Sequence, residues 1–375
     1  MVDEKNIFDV MKQPTVTILE ELSKMDTLDV DCKNEVGQSP LHLAVLNNQL
    51  SVAAYLLNKG FSPNKKDENL LPPFIAAAAN GLTDMFELLL TFSPDLKQVN
   101  RFGGTALLPS SEKGFIQVVQ KALDAGVPVN HVNRLGWSAL LEAVVLGNEG
   151  FLFRDIVSEL MSHGADALIK DFDGKTAIEY GTERHSQIIL PLLEGRVTES
   201  EFDGIKGMIR KGNYYQAIHD LLVLPETAEQ LYYLGTCYDA LGEDEISGYY
   251  YEKGYQLDSQ FAYYLANLKK KYGESESAIE WFNKGSQTSE TPVFFDYHLS
   301  NYLRELGRHE AAVDMMDKLL ETDAKRVDYL FHKANSLRSL GRHQAAYDAM
   351  ILASQLQPEN QLFAEHAAQS KEKID

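Results

Sequence analysis

Two internal periods, one following the other, constrain this chain more tightly than its composition does. In the first half the step is 33 residues: Pro40, Pro73, Ala106 and Ala139 keep it, as do Asn48, Gly81, Gly114 and Gly147. Later, Gly212, Gly242, Gly273, Gly307 and Gly341 stand 30, 31, 34 and 34 residues apart. A unit of that length cannot bury an apolar face alone, so it must stack on its neighbours, and a change of period marks a change of array. The expected organisation is one array over residues 1–195, a short polar joint at 196–200 and a second array over 201–375.

Around the first period recurs a turn, a glycine, a hydroxyl or small residue, and an alanine-rich apolar stretch. Examples are Gly37-Gln38-Ser39-Pro40-Leu41-His42-Leu43-Ala44, Gly103-Gly104-Thr105-Ala106-Leu107, Gly136-Trp137-Ser138-Ala139-Leu140 and Asp171-Phe172-Asp173-Gly174-Lys175-Thr176-Ala177. This resembles the ankyrin repeat. A hydroxyl or proline opens a short helix, and a second helix with paired leucines follows, as in Tyr55-Leu56-Leu57 and Glu87-Leu88-Leu89-Leu90. A glycine such as Gly60, Gly126 or Gly164 closes it, and the remaining residues form a projecting finger. Residues 1–33 and 171–195 read as degenerate end caps. Gly126 and Gly164 are 38 apart, so about five residues are inserted near Gly147 to Arg154, a stretch containing Phe151 and Phe153. The histidine that often follows the Pro-Leu pair is present only as His42, which weakens the finger hydrogen bonding expected of the other units.

In the second array each repeat glycine is followed five residues later by a small packing position: Ala217, Ser247, Ala278, Ala312 and Ala346. Tyr329 to Pro358 is the clearest unit, with Ala334, Leu337, Leu340-Gly341, Ala346, Met350, Ala353, Leu356 and Pro358. These units resemble tetratricopeptide repeats, pairs of antiparallel helices. Together the two resemblances imply an all-α chain of two solenoids.

The second resemblance implies that the first helix of each pair lines a groove, and residues recurring there report on a ligand. Asn267, Asn301 and Asn335 stand six before the repeat glycine, Tyr263, Tyr297 and Phe331 ten before, Lys270, Arg304 and Arg338 three before, and His298 and His332 nine before. The aromatic, the Asn and the cation are spaced four and three apart, which puts them on one helix face. An Asn carboxamide both donates and accepts, which suits an extended peptide backbone. Duplication of surface residues would leave the same trace. In the first array Phe102, Leu135, Trp137 and Phe172 are large apolar side chains in turns, either partner anchors or packing between fingers.

A formal charge of −20, divided evenly between the halves, argues against nucleic acid and anionic membranes, whose binding needs clustered Lys and Arg. Two cysteines, Cys32 and Cys237, build no disulfide framework. Met1 to Gln13 carries Asp3, Glu4, Lys5 and Asp9 rather than the apolar run of a secretory signal, so a cytoplasmic location is expected. Gly174-Lys175-Thr176 ends like a phosphate loop, but Ile169 stands where the upstream glycine would be. His309-Glu310 and Glu365-His366 lack a second His at helical spacing. No enzyme activity, metal, cofactor or small-molecule substrate is expected. The expected function is a protein–protein interaction scaffold with a peptide groove and a second contact surface. The alternative is an inhibitor or immunity-type protein that wraps a single partner.

Overall fold

The computed structural model describes residues 6–25, 27–196 and 200–374. Among them the regular structure is helical, with a single isolated bridge between Val132 and Ser138. None of these helices is long and apolar enough to cross a membrane. Val197, Thr198 and Glu199 of the expected joint, and residues 1–5 of the N-terminal reading, lie outside the described residues.

Contacts divide the chain into two compact units that do not follow it in two clean halves. The first comprises Met1–Val145, Asp155–Asp171 and Thr176–Arg184; the second comprises Leu146–Arg154, Phe172–Lys175 and His185–Asp375.

The first unit begins with α1 (Ile7–Val10) and α2 (Thr15–Ser23) and continues as helix pairs: α3 (Pro40–Leu46) with α4 (Leu50–Asn58), α5 (Pro73–Ala79) with α6 (Thr83–Leu90), α7 (Leu107–Glu112) with α8 (Ile116–Ala125). Then come α9 (Ala139–Leu146), α10 (Phe151–Ser162) and α11 (Ala177–Glu183), with Leu146 of α9 and Phe151 to Arg154 of α10 counted in the second unit. Each first helix packs on the first helix of the next pair, and each second on the next second. Small buried side chains, Ala44 and Ala76 to Ala78, permit that approach. Ser39 and His42 cap the N-terminus of α3 reciprocally, with Pro40 in its first turn, and Thr176 and Glu179 form the same reciprocal cap at the start of α11.

The fingers are held differently from expectation. Besides His42, whose Nε2 meets the Leu71 carbonyl at 3.0 Å, and His131, whose Nε2 meets the Gly103 carbonyl at 2.6 Å, an Asn or Asp in four successive fingers supplies the bonds. Asn34 Oδ1 accepts from Val36 N and Gln38 N, Asp67 from Leu71 N, Asn100 from Phe102 N and Gly104 N, Asn133 from Leu135 N and Trp137 N. These Asx turns recur at the same 33-residue step and need no histidine.

The second unit contains α12 (Ile189–Leu193), α13 (Asp203–Arg210) and α14 (Tyr214–Leu221), then the pairs α15 (Ala228–Ala240) with α16 (Asp244–Tyr255), α17 (Phe261–Lys271) with α18 (Ser275–Thr288), α19 (Pro292–Glu305) with α20 (His309–Thr322), α21 (Val327–Ser339) with α22 (His343–Leu356), and finally α23 (Gln361–Lys371). The five repeat glycines all have φ between +71° and +77°. The residue after each donates back across the helix end, as Glu243 N does to Tyr238 O and Arg342 N to Leu337 O, both at 2.9 Å. That is the left-handed stop that glycine adopts without a Cβ clash. The packing positions Ala217, Ser247, Ala278, Ala312 and Ala346 are fully or almost fully buried. Gly254 and Gly285 bring their helices against the rings of Phe261 and Phe295, where a Cβ would lie 2.0 and 2.1 Å from ring carbons.

Candidate partner-binding faces

In the second unit the residues singled out on α17, α19 and α21 come together, but mostly as core. Tyr263, Tyr297 and Phe331 are 1–2% exposed. Tyr263 packs 4.7 Å from the Phe294 ring, Tyr297 lies 5.8 Å from His332, and Phe331 lies 5.0 Å from His366. The expectation that these aromatics line an open groove is thereby corrected: a first helix is covered by its own partner and by the next pair, so its aromatic row is buried.

The three asparagines do not offer a free ladder. Asn267 Nδ2 donates to its own helix at Tyr263 O, 3.0 Å away. Asn301 Oδ1 accepts from Arg304 Nη2 at 3.0 Å, and Asn335 Oδ1 from Arg338 Nη2 at 2.5 Å. At three-residue spacing the guanidinium reaches back to the carboxamide, and a charge-assisted bond outcompetes solvent. Asn301 is buried, whereas Asn267 and Asn335 are half-buried, and Asn335 Nδ2 has no partner among the described residues. Arg304 Nη1 also donates to His332 Nδ1 at 2.6 Å, Arg338 Nη1 reaches Ser370 Oγ at 3.3 Å, and Lys270 pairs with Glu305. Arg304, Arg338 and His332 remain half-buried, with two guanidiniums one repeat apart.

The inserted stretch has a definite place in this unit. Phe153, 1% exposed, packs 5.6 Å from Phe294, 6.0 Å from Tyr263 and 6.2 Å from His298. Phe151 stacks on Tyr232 at 5.6 Å, and Arg154 bonds Glu229 at 2.7 Å and the Tyr233 hydroxyl at 2.8 Å. His298, buried beside Phe294, meets the Leu146 carbonyl at 3.2 Å. Leu146–Arg154 therefore covers the face at Tyr263 and His298, so His298 is corrected from ligand contact to core partner.

In the first unit Leu135 and Trp137 are 9% and 6% exposed and belong to the finger's interior, which favours packing over a partner anchor for these two. Asn133 accepts from the amide nitrogens of both, so the turn that presents them also folds them inward. Phe102 is half-buried under the Arg101 guanidinium, 4.6 Å from its ring. Phe172, grouped with the second unit, is 44% exposed.

Leu70 escaped the sequence reading. It is half-exposed and holds φ +56°, at the register where Gly37, Gly103 and Gly136 hold +75° to +85°. The missing glycine, 33 residues after Gly37 and 33 before Gly103, was the available signal. Val36, 47% exposed, sits on the preceding finger, whose carbonyl accepts from Glu68 N at 3.2 Å. On the following finger Arg101 donates to Asn69 at 3.1 Å. Val36, Leu70 and Phe102 thus occupy three successive linked fingertips. Among the described residues no three His, Cys, Asp or Glu side chains gather as a cation site would require.

Known proteins resemble the first half. Residues 36–68 match the family model for the ankyrin repeat, and residues 74–171 the model for ankyrin repeats in three copies. The putative ankyrin repeat protein YahD of Escherichia coli (strain K12) is 35% identical over 167 residues, which cover 44% of this chain and 83% of that protein. NF-kappa-B inhibitor alpha of Mus musculus is 33% identical over 113 residues, 28% of this chain and 36% of that protein. A solved ankyrin repeat domain from Acinetobacter baumannii AYE superposes with a TM-score of 0.48 at 36% identity, over 51% of this chain and 96% of that one.

Proposed function

Over its first half the chain belongs to the ankyrin-repeat family, and from that premise we propose that it is a protein–protein interaction scaffold whose fingertips Val36, Leu70 and Phe102 hold a protein partner. The observation that carries this reading is Leu70. A non-glycine residue in the left-handed region costs about 1–2 kcal/mol, and strain of that kind is retained where a function needs it. Here it sets a half-exposed leucine on the finger between those that carry Val36 and Phe102. An apolar anchor on a rigid turn suits a partner's hydrophobic pocket.

Leu70→Gly separates the two roles of the residue. Relief of strain, less the entropy glycine adds to the unfolded chain, gives a gain of roughly 0.5–1 kcal/mol in stability. Loss of the anchor weakens a partner recovered on the full chain about tenfold, measured by calorimetry. Unchanged affinity in Leu70→Gly, Val36→Ser and Phe102→Ala alike would remove the fingertips from the interface.

The second unit reads as a tetratricopeptide-type array, with helix pairs, glycine stops and small packing positions in its favour. Its half-buried stretch around Asn335, Arg304, Arg338 and His332, with two guanidiniums one repeat apart, suits an extended segment rich in carboxylates. Arg338→Gln is expected to lower affinity for such a segment about tenfold and to flatten its salt dependence, since the contribution is electrostatic and screened. Equal salt dependence in the variant and the parent would count against this contact.

A further inference from the structure

We infer that a ledge of tyrosines on α15 and α16 is a docking site for an arginine- or lysine-rich segment of a protein partner. It shares no residue with the fingertips or with the Arg304–Arg338 stretch. Tyr249 is 57% exposed and Ile246, beside it on the same helix, 40%. The Tyr249 ring meets Tyr250 nearly at right angles at 5.3 Å, and Tyr250 lies parallel to Tyr238 at 5.5 Å and 9°. Two helices therefore brace three phenol rings against one another, and the outermost is left in solvent. Rings ordered in advance lose little freedom when a partner covers them.

Charge identifies the partner. From Tyr238 to Asp258 there are six carboxylates, Asp239, Glu243, Asp244, Glu245, Glu252 and Asp258, against one basic residue, Lys253. Lys271 pairs with Asp239 at 2.6 Å. Glu243, Glu245 and Glu252 are exposed and make no ion pair among the described residues. Lys253 is tethered to Glu226 at 2.5 Å and places its ammonium 5.8 Å from the Tyr249 centroid. The chain thus already seats one cation on this ring, as the quadrupole of an aromatic face favours. Surrounding carboxylates raise the local concentration of further cations and repel anionic partners. A second copy, carrying the same acids and the same charge of −20, is disfavoured for that reason.

The test uses the full chain and a fluorescein-labelled octa-arginine peptide, with binding followed by anisotropy at two salt concentrations. Tyr249→Ala is expected to weaken binding about fivefold. Glu245→Gln with Glu252→Gln weakens it and reduces the salt dependence, and Lys253→Met tightens it by vacating the ring and removing a positive charge. The matched pair Asp314→Asn and Glu321→Gln, on exposed positions of α20, changes it less than about twofold. If the α20 pair weakens binding as much as the ledge pair, or Tyr249→Ala has no effect, attraction is diffuse and the site falls. Sedimentation that finds a dimer of the parent chain broken by Tyr249→Ala would assign the ledge to a second copy and equally overturn the inference.

Discussion

Phe153→Ala lowers the stability of the second unit by about 3–5 kcal/mol, the range for deleting a fully buried aromatic ring and leaving a cavity behind. The ring is 1% exposed and lies against Tyr263, Phe294 and His298. Phe151→Ala costs less, because that ring is half-buried and stacks on Tyr232 at one side. Hydrogen exchange at the amides of α17 and α19 reports the change directly, and a loss below about 1 kcal/mol would mean that the stretch is merely draped over the unit. Residues 200–375 taken alone lack Phe151, Phe153 and Arg154. Such a fragment exposes Tyr263, Phe294 and His298 and is expected to melt below the second unit of the full chain. A cut near residue 200 is therefore expected to leave the second half less stable than the second unit of the full chain.

The two periods were legible because glycine stops and small packing positions recur wherever the backbone demands them. The inner aromatic row was misjudged for a physical reason: a period reports that a position is equivalent in each repeat, not which side it faces. Tyr263, Tyr297 and Phe331 repeat because each packs on the next helix pair. The shared face of Asn301 and Arg304 was read correctly from their spacing, yet the guanidinium answers the carboxamide within the helix, so neither waits unengaged for a ligand. The insertion was visible as a longer step. Its destination was not, since Phe151 and Phe153 find partners in α15, α17 and α19, distant in sequence and coded by no local pattern. Leu70 could have been found, because the same register that located Gly37 and Gly103 predicts a glycine there.

Glu142→Gln makes the first unit more stable at neutral and alkaline pH and removes most of the pH dependence that this residue imposes. Glu142 lies on α9 and is 6% exposed. Its Oε1 accepts from Asn133 Nδ2 at 2.8 Å, while Oε2 is buried with no hydrogen-bond partner among the described residues. Burial, and then the negative Glu112, push its pKa well above the usual carboxylate range, and the Asn133 bond only partly opposes them. The folded unit consequently keeps a proton that the unfolded chain releases. Stability is fully present below the ordinary carboxyl pKa and falls as pH rises toward the raised folded value, by up to about 1.4 kcal/mol per pH unit. Glutamine imitates the neutral acid: its carbonyl still accepts from Asn133 and it carries no proton to lose. Urea unfolding at about pH 5 and about pH 8 should show the two proteins closer in stability at the lower pH and further apart at the higher, with the variant ahead. Glu112→Gln provides an independent check. Removing that charge lowers the pKa of Glu142, so the decline should end at a lower pH than in the parent chain. Parallel stability curves for the parent and both variants would mean that Glu142 titrates alike in the folded and unfolded chains, and the buried neutral acid would have to be abandoned.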